Sequence, residues 1–149
     1  MYNFILGFHN LFRWVAAILL VYALFRVYKG VFAKSSWSEA DKKAGLFLTI
    51  GLDIQFLLGL LLYFVYSPIT KIFFNNMGDA MNSTELRFYG IEHIFYMLLT
   101  IVFAHIGSAI GKKDIADSKK FKRVALWFSL ALVTILLGMP WARPFLPTF

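Results

Sequence analysis

Four stretches of this chain, each about 20 residues or longer, consist almost entirely of apolar side chains. That repetition leaves a lipid bilayer as the solvent the chain is built for. The stretches cover about residues 4–28, 44–66, 86–110 and 121–139, and each is long enough to cross a hydrocarbon core at 1.5 Å per residue. Composition agrees: 60% of the 149 residues are hydrophobic and only 15% are charged. A soluble domain carries about 25% charged residues, and one aqueous core of this length cannot bury so much apolar surface. A soluble enzyme domain and a disordered chain are both excluded. The expected fold is all-α, a single integral membrane bundle of four helices spanning residues 1–149. The first stretch has no basic segment before it and carries Arg13, so it is expected to be a retained helix and not a signal peptide.

The connections carry helix-boundary signals. Ser38 with Asp41 three residues on resembles a capping box that opens the second helix. Ser67-Pro68 ends that helix, Asn82 to Glu85 offers caps for the third, and Gly111-Lys112-Lys113 ends the third. The basic residues set the expected orientation. Eleven of the fifteen flank or occupy loops one and three: Arg26, Lys29, Lys34, Lys42, Lys43, Lys112, Lys113, Lys119, Lys120, Lys122 and Arg123. Loops one and three are therefore expected to be cytoplasmic and both termini external, in a multi-pass membrane protein. The net charge of +7 follows from this asymmetry and implies contact with lipid headgroups; no nucleic-acid partner is expected.

Ionisable groups inside a membrane are expensive and point to function. Here they are His9, Arg13, Asp53, Glu92, His93 and His105, with Gln55 as a neutral companion. Counting along the helices places His9 and His93 at similar depth, roughly 8 Å below the external edge, and His105 about 18 Å beyond His93. Two imidazoles on different helices at one depth can ligate a haem iron from both faces. Gly51, Gln55 and Gly59 give helix two a low-profile stripe, and Arg87 and Arg143 could pair with haem propionates. The same histidines could instead hydrogen-bond neighbouring helices with no cofactor, and the glycines could simply allow close packing. Two bis-histidine haems need four histidines and the chain has three, so one haem b is the limit of that reading. There is no Cys, which removes thiolate and iron–sulfur chemistry. Arg13 requires a counter-charge, with Asp53 the natural partner and Glu92 its competitor.

The order His9-Asn10-x-x-Arg13-Trp14, Asp53-x-Gln55, Arg87-Phe88-x-x-x-Glu92-His93 and Pro140-Trp141-x-Arg143 resembles small four-helix bacterial membrane proteins labelled cytochrome-b-like, common in the Bacteroidota. The resemblance covers nearly the whole chain. It implies His9 and His93 as haem-iron ligands, with Arg13, Gln55, Arg87, Glu92 and Arg143 supporting the site. It further implies a non-catalytic electron carrier of the bacterial inner membrane that exchanges electrons with a quinol, a periplasmic protein or a larger membrane complex. A homo-oligomer is another expected association. Two other functions compete with it. One is a cofactor-free accessory subunit. The other is a small oligomeric transporter built on Asp53, Glu92 and His93, which the location of all four prolines outside the spans argues against.

Overall fold

The computed structural model describes residues 1–142, and every described regular element is helical. Helix α1 runs Tyr2–Ala33 and α2 Glu39–Leu61, the latter continued by a π-helical segment, π1, at Leu62–Tyr66. Three short helices follow: α3 (Pro68–Asn75), α4 (Met77–Ala80) and α5 (Thr84–Arg87). A second π-helical segment, π2 (Phe88–Glu92), leads into α6 (His93–Gly111), and α7 covers Asp117–Gly138. Four continuous helical rods, Tyr2–Ala33, Glu39–Tyr66, Thr84–Gly111 and Asp117–Gly138, are long and apolar enough to cross a membrane. They extend the expected spans, mainly at the ends where polar residues cap or flank them.

Those ends form for local reasons. Ser38 accepts from the Asp41 amide while its own N–H donates to Asp41 Oδ2 at 2.8 Å, the reciprocal arrangement that satisfies two orphan donors at a helix start. Ser67 caps α3 ahead of Pro68 at its first turn, and Ser83 caps α5. The stretch between the second and third rods, expected as a loop with caps, is therefore mostly helical. Its Phe73 is buried against Gly90, where a Cβ would collide with the ring.

Contacts between α1 and α2, α2 and α6, α6 and α7, and α7 and α1 close a ring, so α1 and α6 stand diagonally across the bundle axis. The core of the lysine-rich half holds Leu20, Leu24, Val27, Leu48, Phe121 and Phe128. Phe121 packs into the notch left by Gly30, and Phe128 into that left by Gly107, where a Cβ would lie 2.5 Å from the ring. Arg26 pairs with Asp41 at 2.9 Å, and the Trp37 ring packs against Phe121 at 4.7 Å, tilted by 59°, with the Lys120 ammonium 5.8 Å from the Trp37 ring. The connection after α1 is thereby tied to α7. In the other half, small and polar side chains leave the axis less filled, and the functional candidates gather there.

Candidate functional site

His9 lies on α1, about two turns from its start, and His93 is the first residue of α6 after π2. A π turn carries more than 3.6 residues, so it rotates the residues that follow it and commonly marks functional positions. Across the axis the two imidazole centroids are 6.3 Å apart, with their planes at 73°. His93 Nδ1–H donates to the carbonyl of Gly138 at 2.6 Å, which fixes the tautomer and leaves Nε2 as a lone pair. The close approach is possible because position 138 has no side chain: a Cβ there would collide with Met97.

Gln55 reaches His9 from α2, its amide N–H donating to Nε2 at 3.3 Å. His9 Nδ1 and Gln55 Oε1 are both buried and find no hydrogen-bond partner among the described residues. Orphaned buried polar atoms are uncommon and mark places where a further group belongs. Gly59, one turn beyond Gln55, puts bare backbone beside the imidazole; a Cβ there would lie 3.2 Å from His9 Cε1.

These groups line a cavity of about 110 Å³, together with Arg13, Tyr63, Tyr89, Met97 and Thr100. Arg13 is buried, and its guanidinium lies 5.5 Å from the Trp14 ring. π1 and π2 flank the cavity and are joined to each other: the Tyr63 hydroxyl donates to Gly90 O at 2.6 Å, and Thr70 of α3 donates to Tyr63 O at 2.7 Å.

Of the residues singled out in the sequence, His9, His93, Arg13 and Gln55 converge on this cavity. Arg87 does not line it. Its Nε donates to Glu92 at 2.7 Å and its Nη1 to the carbonyl of Met81. Arg143 lies outside the described residues. The expected Arg13 counter-charge is corrected: Asp53 engages His105 at 2.9 Å and Glu92 engages Arg87, so neither carboxylate is held by Arg13. Helix phase is the reason, because Asp53 turns to the outside of the α2–α6 groove while Gln55, about 200° further round, turns to the axis. Asp53, Glu92 and His93 thus have three separate partners, and no cluster of three or more His, Asp or Glu that could hold a metal ion occurs among the described residues.

Sequence reasoning missed Tyr63, Thr70 and Tyr89. Tyr63 continues the Gly51, Gln55, Gly59 stripe by one more four-residue step, a signal that was present. Thr70 and Tyr89 had none, since they reach the cavity through α3 and the π turns. Comparison of the chain with protein-family models, with curated proteins and with solved structures returns no match.

Proposed function

We propose that the chain is a membrane-embedded b-type haem protein of the bacterial inner membrane, carrying one haem between His9 and His93 and passing electrons to or from a quinol or a larger membrane complex. The observation that carries this reading is the 6.3 Å separation of the two imidazoles across the bundle axis. With metal–nitrogen bonds of about 2.0 Å, two imidazoles at that separation would be able to hold one iron between them. The donor set fits as well. His93 has its outer nitrogen anchored on a carbonyl, the arrangement that ligating histidines adopt, and His9 Nε2 is freed by rotation of the Gln55 amide alone.

Haem held there would supply a one-electron couple. The chain's own residues do the rest. His9 and His93 would hold the iron, one from α1 and one from α6. Gly59 lets a flat group approach α2. Arg13 places a positive charge beside it, which favours the reduced form. Most of the lining is aromatic and aliphatic, which would limit the water beside it.

One observation favours a cofactor-free accessory subunit. The cavity of about 110 Å³ is smaller than the roughly 300–1,000 Å³ of small-molecule pockets, so haem entry requires the side chains around the two imidazoles to repack while α1 and α6 keep their spacing. The visible spectrum of detergent-purified protein, expressed with haem supplied, decides between the two. A reducible low-spin spectrum that His9→Ala and His93→Ala each abolish or convert to high spin, and that His105→Ala leaves intact, is the expected result. Protein that takes up no haem leaves the accessory-subunit reading in its place.

A further inference from the structure

Asp53 and His105 form a hydrogen-bonded pair with Oδ1 and Nε2 2.9 Å apart, and each side chain is 49% exposed on the outer surface of the bundle. Helical rise places His105 about 10 Å from Lys112 and Asp53 about 16 Å from Lys42, deep within the apolar part of both rods. Neither side chain is long enough to reach a headgroup layer from there, as lysine and arginine do. Intramembrane charges ordinarily face a protein interior or a water-filled cavity, not lipid. This pair does neither within one chain.

The surface around it has a regular pattern. On α2, exposed Leu46, Ile50 and Leu57 share a face with Asp53, at successive spacings of four, three and four residues. On α6, exposed Leu98, Val102 and Ala109 share a face with His105 at the same spacings. That alternation is the seam along which helices pack knobs into holes, where a single polar position sets register and oligomeric state. Here two such seams lie side by side, each with one polar residue, at one depth.

We propose that this α2–α6 face is the interface of a homodimer, in which a two-fold axis along the membrane normal sets Asp53 of each copy beside His105 of the other. Charge complementarity selects a second copy as the occupant. An acid and an imidazole side by side are self-complementary under a two-fold axis, and a copy inserted in the same sense presents them at the same depth. The four groups then share a protein-lined, lipid-free setting, and each carboxylate has two imidazoles within reach. The proposal is independent of whether haem is bound.

The chain has no cysteine, so a single introduced thiol reports on one position. In membranes treated with a short bis-maleimide, Val102→Cys and Ile50→Cys are expected to yield a product of twice the 17.1 kDa chain mass. Ile18→Cys on α1 and Val133→Cys on α7, both exposed elsewhere, are expected to stay monomeric. Adding Asp53→Leu with His105→Leu to the Val102→Cys chain should lower the dimer yield at least tenfold. Monomer at Val102 and Ile50, equal cross-linking at the two control positions, or a product of a different mass would each overturn the dimer. A dimer yield unchanged by the double substitution would overturn the role given to the pair. The single-cysteine chains keep the native pair, so their result stands even if the double variant fails to fold.

Discussion

His9 and His93 reach each other because both point to the bundle axis at one depth, and because the neighbouring positions carry little bulk. Gly59 and Gly138 are the two places where backbone comes close to the imidazoles or their partners. The residue types and their depth were legible in the sequence, since hydropathy and rise per residue suffice for both. The partners were not. Gly138 supplies only a carbonyl, which no residue-type argument can single out. The same distinction makes the glycines of the lysine-rich half testable one by one. A Cβ at Gly107 would meet the Phe128 ring at 2.5 Å, whereas at Gly45 its nearest neighbours are 3.4–3.5 Å away, in ordinary contact. Gly107→Ala is therefore expected to destabilise the bundle by about 1–3 kcal/mol through overpacking. Gly45→Ala should be neutral or stabilising by up to about 1 kcal/mol, because alanine is the better helix former. Thermal unfolding in detergent, followed by circular dichroism, gives the order of the two. For the site itself, Arg13→Leu in haem-loaded protein is expected to lower the midpoint potential by an amount on the order of tens of millivolts, because a buried positive charge is removed. A potentiometric titration measures it.

At the scale of the element, caps were the most transferable signal. The Ser38–Asp41 box, the Ser67-Pro68 boundary and the Ser83 cap all occur where the residue types placed them, because a cap depends on three or four consecutive residues and little else. Ser38→Ala should cost about 1 kcal/mol. It also removes the hydroxyl that Arg26 reaches at 3.3 Å, so the loss should show as a lower unfolding temperature. The end of α1 offers the opposite case. Lys34 closes that helix in the left-handed region at φ 51°, where a side chain is disfavoured. Lys34→Gly is expected to raise stability by about 1 kcal/mol, and an unchanged or lower melting temperature would contradict it. The π segments at Leu62–Tyr66 and Phe88–Glu92 were not legible. A π turn differs from an α turn by one residue, and it is held by contacts such as Tyr63 to Gly90 that join positions 27 apart.

At the scale of the whole molecule, the four rods form a closed ring with one densely packed half and one half that keeps a cavity. The basic residues of loops one and three lead us to propose that the lysine-rich half faces the cytoplasm. A reporter inserted between Lys113 and Asp117 is expected to be active only as a cytoplasmic domain, and one inserted at Asn82 only as an external one. The reverse pattern would put the His9–His93 site at the cytoplasmic side. The sequence by itself determined the number of rods, their approximate limits and the Ser38, Ser67 and Ser83 caps. Each of these depends on side chains near one another along the chain. Tertiary structure alone decided the pairing: Asp53 with His105, Glu92 with Arg87, Gln55 with His9. A partner is chosen by the rotation of each helix about its own axis. That rotation changes by about 100° per residue, is shifted again by each π turn, and is set only when Phe121 and Phe128 seat in their glycine notches and the four helices lock together.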